Sequence, residues 1–179
     1  MERPDFVHLH LHSEYSLSDG IIRIKELVSR ASSLQYSAVG LTDLTNLFGL
    51  LEFYRSSREK GIKPIVGAEV NVIKDKDSLP APIVLLVKDK QGYINLTKIV
   101  SKAYVDGQVN GEPMVELSLL QKYSEGLIAL SGGMEGHVGQ SILAGNIPLT
   151  ESRIKFFKSI FDEDFFIEVH RLGKTNEEE

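Results

Sequence analysis

Apolar stretches of strand length alternate along this chain with longer helical patterns, and that alternation restricts the fold more than any other feature. Phe6 to Leu11 interleaves apolar residues with histidines, the period of two expected of a strand. Ile24 to Leu34 carries Ile24, Leu27, Val28 and Ala31 on one stripe, the mark of an amphipathic helix. Ala38 to Leu41 reads as a short buried strand running into Thr42 and Asp43, and Leu47 to Glu59 as a second helix closed by Gly61. Further strands are expected over Ile65 to Ile73, Ile83 to Lys88, Leu127 to Ser131 and Phe165 to His170. Helical patterns cover Tyr93 to Tyr104, Leu117 to Lys122, Val138 to Ala144 and Glu151 to Phe161, with Asp106 to Glu112 as a loop.

Strands and helices in alternation predict parallel pairing through right-handed crossovers, closed as a barrel or left open as a doubly wound sheet. No Gly-x-Gly-x-x-Gly follows the first strand, which counts against a dinucleotide-binding sheet. The expectation is an α/β barrel-like domain over residues 1–179, without a linker or internal repeat to divide it.

Composition narrows the chemistry. The chain has no cysteine, which excludes disulfide scaffolds, thiol catalysis and cysteine-held metals. The net charge of −5 argues against a broad DNA-coating surface but leaves room for a local phosphate site. Met1 to Asp5 leads into no long apolar run, and the longest apolar runs are strand-sized, so no signal peptide or membrane span is expected and the location reads as cytoplasmic.

His8, His10 and His12 are three of the five histidines in the chain. Alternate residues of a strand face the same way, so the spacing can bring imidazoles around one ion, and neutral imidazole is a common ligand for zinc and similar metals. Asp43 directly follows the second strand, Glu69 lies in the third, and Asp19 sits in the loop after the first. Histidines and carboxylates from separate strand ends are how a hydrolytic metal site is assembled. Each acid also has a plain alternative: Asp43 as a cap, Asp19 in a turn with Gly20, Glu69 paired with a lysine. His137 and His170 have no matched partner in sequence and read as surface or satisfied side chains. Gly173-Lys174-Thr175 lacks the upstream glycine of a phosphate-binding loop, Ser131-Gly132-Gly133 reads as a turn, and Lys88, Lys90, Lys98 and Lys102 read as a solvated helix face.

The run Phe6-Val7-His8-Leu9-His10-Leu11-His12-Ser13-Glu14-Tyr15-Ser16-Leu17-Ser18-Asp19-Gly20 resembles the opening of the PHP (polymerase and histidinol phosphatase) domain in the alpha subunit of bacterial DNA polymerase III. The likeness continues through Leu41-Thr42-Asp43-Leu44-Thr45-Asn46-Leu47-Phe48-Gly49, Gly61 to Glu69, Gly92 to Leu96 and Glu125 to Gly133, and so covers essentially the whole chain. It implies a distorted (β/α)7 barrel, truncated before its last strand, as the N-terminal fragment of a much larger polymerase subunit. In family members with a full site, up to three metals support phosphoester hydrolysis.

Carried over position by position, the resemblance makes His10, His12, Asp19 and Glu69 metal ligands, with His8 and Asp43 beside them. It also places Leu44, Pro82 and Gly133 where family ligands stand, and the final Asp-x-His pair beyond Glu179. Leucine, proline and glycine side chains donate no electron pair to a cation. The resemblance therefore implies a degenerate site, with one weakly bound zinc or manganese at most and no working phosphoesterase in this fragment. The implied full-length protein is a magnesium-dependent DNA-directed DNA polymerase in DNA replication. Its implied partners are the remaining alpha-subunit domains, a proofreading exonuclease subunit, and DNA through the holoenzyme. The alternatives are a free-standing phosphoesterase of the histidinol-phosphatase type and, on architecture alone, an incomplete barrel whose open edge pairs with a neighbour.

Overall fold

A computed structural model describes residues 6–74 and 78–170; Met1 to Asp5, Gly173-Lys174-Thr175 and the acidic tail from Asn176 lie outside that range. The strands are β1 (Ala38–Leu41), β2 (Lys63–Ile73), β3 (Ala81–Val87), β4 (Gln108–Val109), β5 (Glu112–Pro113), β6 (Val115–Glu116), β7 (Leu127–Leu130) and β8 (Phe165–Phe166). The helices are α1 (Ile24–Ser33), α2 (Leu50–Glu59), α3 (Lys90–Val105), α4 (Leu117–Lys122), α5 (His137–Leu143) and α6 (Ile147–Phe161). The α/β class expected from the alternation is what the chain adopts.

One sheet runs in the order β1-β2-β3-β7-β8, with β6 beside the end of β2. The expectation of parallel pairing throughout needs correction. β1–β2, β2–β6 and β7–β8 are parallel, whereas β2–β3 and β3–β7 are antiparallel. A parallel partner needs a crossover of a dozen or more residues, and the stretch 74–80 between β2 and β3 is too short for one. After α3 the chain visits the end of β2 as β6 before returning along β3 as β7. The expected loop at 106–112 contains half of a small hairpin, with β4 pairing β5.

Two expected strands are shorter than their sequence pattern. Phe6 to Leu11 forms no regular strand: its chain bends at His10 and touches β1 where Gly40 N–H donates to His8 O (2.7 Å) and Thr42 N–H donates to Leu11 O (2.9 Å). Phe165 to His170 pairs with β7 only through Phe165 and Phe166, opposite Ala129 and Leu130. Among the described residues the sheet does not close into a ring. Its two edges, residues 8–11 beside β1 and the segment following β8, nevertheless approach each other, because His10 and Glu168 hydrogen-bond across them at 2.8 Å.

Alternation in the strands separates two faces. Ala68, Val70 and Val72 of β2 and Ile83 and Leu85 of β3 are buried against Leu96 and Ile99 of α3 and Phe157 and Phe161 of α6. Val84, Leu86 and Leu130 face the other way and pack with Ile65 and Ile128. Glu69 is opposite Val84 in the register, and so shares this inner face. A second core lies over β1, where Ile24, Val28 and Ala31 of α1 meet Phe53 of α2. Asp89 begins α3 by accepting a hydrogen bond from Gly92 N–H (2.9 Å), and Asn146 does the same for α6 from Leu149 N–H (3.1 Å). Gly92 is required by space: a Cβ there would overlap the carbonyl of Gly126.

Candidate metal centre

The inner-face residues meet where the two sheet edges approach. His10 Nε2 lies 2.6 Å from Glu69 Oε2, and His10 Nδ1 lies 2.8 Å from Glu168 Oε1. His12 stands beside it, ring centroids 5.3 Å apart, with Nε2 3.5 Å from Glu69 Oε2, too long for a strong hydrogen bond. His12 Nδ1 is 2.8 Å from Asp19 Oδ2. Asp19 is mostly exposed and, among the described residues, meets the site through His12, whose ring this contact can orient.

His8 is elsewhere. Its ring packs edge-on against Phe6 (4.9 Å) and Tyr36 (5.6 Å), since the bend at His10 breaks the two-residue alternation that would have aligned all three imidazoles.

Asp43 is buried, 2% exposed, and accepts hydrogen bonds from three donors. Ser13 N–H donates at 2.6 Å, Ser13 Oγ at 3.0 and 2.8 Å to the two oxygens, and Ser16 Oγ at 2.7 Å. It thereby pins the residue that directly follows His12. Ser16 Oγ in turn accepts from Leu44 N–H (3.0 Å), and Leu44 bridges Glu69 through the backbone.

Sequence reasoning missed Glu168 and His170. Glu168 is held by Ser131, whose hydroxyl accepts from Glu168 N–H (3.0 Å) while Ser131 N–H donates to Phe166 O (3.0 Å). His170 Nε2 is 2.9 Å from Glu168 Oε1, and its ring lies 5.5 Å from that of His10. The reading of His170 as unmatched is therefore corrected. The available signal was a second x-Glu-x-His alternation after a strand, the same spacing as His10-x-His12. His137 sits apart, stacked on Phe157 at 6.1 Å, and burial together with Arg153 lowers its pKa.

Electrostatically the cluster is a chain of alternating charges. Burial disfavours the charged imidazole of His10, but hydrogen bonds to Glu168 and Glu69 outweigh it and raise its pKa from 6.5 to about 9. Burial also works against His12, and Glu69 and Asp19 more than compensate. Burial pushes Glu69 up, whereas His10 and His12 hold it down at about 2. Glu168 is lowered in the same way by His10 and His170. A charged His10 between two carboxylates thus takes the electrostatic place of a cation.

Two overlapping donor sets could hold an ion: His10, His12 and Glu69, and His10, Glu168 and His170. Two buried atoms of residues in these sets, His12 Nε2 and Glu168 Oε2, have no hydrogen-bond partner among the described residues, which fits a missing ligand. The donors suit one borderline ion such as zinc. Among the described residues the two sets share His10. Leu44 and Pro82 offer no donor side chain, Pro82 faces Asn71 in the β2–β3 register, and the space a side chain at Gly133 would enter is filled by the ring of His170.

Residues 8–172 match the PHP domain family. The chain is 39% identical to DNA polymerase III subunit alpha of Vibrio cholerae, 41% to that of Pseudomonas fluorescens and 42% to that of Escherichia coli K12, over 97–99% of its length. It spans about 15% of the length of those relatives. A crystal structure described as a metal-dependent phosphoesterase from Bifidobacterium adolescentis has the same fold, with a TM-score of 0.54, 14% identity, and coverage of 98% of this chain and 91% of the other. With its histidine-rich opening, its inner-face glutamate and its mixed sheet, the chain belongs to the PHP domain family.

Proposed function

We propose that this chain is the PHP domain of a replicative DNA polymerase alpha subunit, retained as a structural and docking platform after losing its hydrolytic metal cluster. The observation carrying the loss is at the ligand positions: Leu44, Pro82 and Gly133 supply no donor, and one of those spaces is filled by another side chain. Loss of an outer-shell partner alone costs about 10–100-fold in metal affinity or activity, and lost direct ligands cost more. A bound zinc or manganese ion would polarise a phosphoester oxygen or acidify a water, but among the described residues the paired ions that clamp both attacking and leaving oxygens have no second set of independent donors, since both sets share His10.

The polymerase reaction, with its magnesium ions, would belong to the rest of the protein. A cytoplasmic location accords with this, and no described helix is long and apolar enough to cross a membrane. The docking role is supported by an apolar groove of about 670 Å³ lined by Leu47, Phe48, Leu51, Tyr54, Val87 and Tyr93. Phe48 and Leu51 are 70% and 60% exposed, a patch of the kind that partners cover. The proofreading exonuclease subunit is the partner proposed for this domain, with the remaining alpha-subunit domains as its other neighbours.

The test is a 3′–5′ degradation assay of the full-length protein, freed of any exonuclease subunit, with manganese. No cleavage above background is expected; robust cleavage lost on H10A would refute the retired-site reading. Capture of the exonuclease subunit by the full-length protein, weakened by F48A/L51A, tests the docking role. The alternative, a free-standing phosphoesterase, is favoured by the meeting of His10, His12 and Glu69. Continuation of the open reading frame for several hundred codons past residue 179 would exclude it.

A further inference from the structure

The space beside Gly133 suggests a rearranged metal site. A Cβ on Gly133, whose φ is +60°, would come within 2.7 Å of His170 Cε1 and 2.8 Å of Nδ1. The imidazole of His170 therefore stands where a ligand side chain from β7's end would project, and it brings its own nitrogen to the same side of the site. That nitrogen, Nε2, is 2.9 Å from Glu168 Oε1, which is itself 2.8 Å from His10 Nδ1. Glu168 is 10% exposed, and its second oxygen, Oε2, is buried without a partner among the described residues. Its backbone is fixed by Ser131, the residue two before Gly133.

We propose that His10, Glu168 and His170 form a binding site for a single divalent transition-metal ion of the zinc type, which clasps the two edges of the sheet together. The donor set is two imidazoles and one carboxylate, suited to a tetrahedral ion with its fourth position on water. With metal–ligand bonds of about 2.0–2.1 Å, tetrahedral donors stand about 3.3 Å apart, so the present 2.8–2.9 Å spacings need to open by only about half an ångström. The ion displaces the protons now shared among the three side chains.

The rival set, His10 with His12 and Glu69, shares the same imidazole, so one ion occupies one set or the other, and the variants below tell them apart. The role is structural. The ion joins residue 10 to residues 168 and 170, two stretches of chain that meet only where the ends of the sheet approach. The inference stands whether or not the chain is part of a polymerase.

The experiment is a titration of the metal-stripped full-length protein with Co2+ and with Zn2+, in excess Mg2+ to fill all-oxygen sites. It reads the visible absorption of nitrogen-ligated Co2+ and the metal-to-protein ratio after gel filtration. One ion per chain is expected, with affinity falling at least about 10-fold in H170A, H170Q and E168Q and staying near wild type in H12A. Circular dichroism of the metal-free variants checks folding, and the half-buried position of His170 makes H170Q the conservative control. No stoichiometric uptake by the wild type overturns the proposal. So does loss of uptake in H12A, or undiminished uptake in H170Q.

Discussion

Replacing Asp43 by alanine removes an acceptor on which three hydrogen-bond donors converge. Its carboxylate is almost fully buried, and the donors it leaves behind are Ser13 N–H, Ser13 Oγ and Ser16 Oγ, with Ser13 and Ser16 also buried. Hydrogen bonds to a charged group contribute about 1.5–3 kcal/mol each, and a buried donor left unpaired costs about 1–3 kcal/mol. The hydroxyls can turn to other partners, whereas the backbone N–H of Ser13 cannot. The terms also overlap because they share one acceptor. An overall loss of about 3–5 kcal/mol follows, and for a chain of this size a fall in Tm of about 10 °C. D43N keeps one oxygen for the backbone N–H, and its amide can donate to a rotated serine hydroxyl, so it should cost only about 1–2 kcal/mol. Equilibrium urea unfolding of both variants, with hydrogen exchange at Ser13 and Leu44 as a local readout, measures this directly. A D43A protein within 1 kcal/mol of wild type, or a D43N protein as damaged as D43A, would refute the account of Asp43 as the anchor of the segment that carries His12.

Phe53, fully buried between α1 and β1, should cost about 3–5 kcal/mol on truncation to alanine, read from the urea midpoint. Gly92→Ala sets a methyl group against the Gly126 carbonyl, backbone against backbone; a destabilisation of at least about 2 kcal/mol is expected in thermal unfolding, and a neutral result would mean the α3 start can shift freely. In metal-free protein the His10 pKa, raised from 6.5 to about 9, contributes stability that is complete below pH 6.5 and is lost as pH rises through 9, up to about 3 kcal/mol. Glu69, lowered from 4.5 to about 2, contributes above pH 4.5 and is lost as pH falls toward 2. The cluster's contribution is thus greatest between pH 4.5 and 6.5, and H10Q should flatten the alkaline limb of the urea midpoint plotted against pH.

The alternation of strand-length and helical patterns was enough to place most elements, because the signal is local. Ile24, Val28 and Ala31 repeat at helical spacing on a surface helix, and β1 was found at its observed ends. Glu69 was legible as a candidate because it is an acid within a strand, and the structure shows its apolar neighbours Ala68 and Val70 buried on the opposite side. His10 and His12 were legible by spacing. The same spacing misled at His8, because one bend in the backbone undoes a period of two.

What the residues determined by themselves was the list of chemical groups and the side of each strand they occupy, since both depend on neighbours one or two positions away. Only the tertiary structure decided that β3 runs antiparallel, that the sheet's edges come together, and that Glu168 and His170 reach His10 from 158 and 160 positions along the chain. Those outcomes depend on how the whole sheet curls around its packed helices. No local period encodes that curvature, because it is set by the summed packing of both faces.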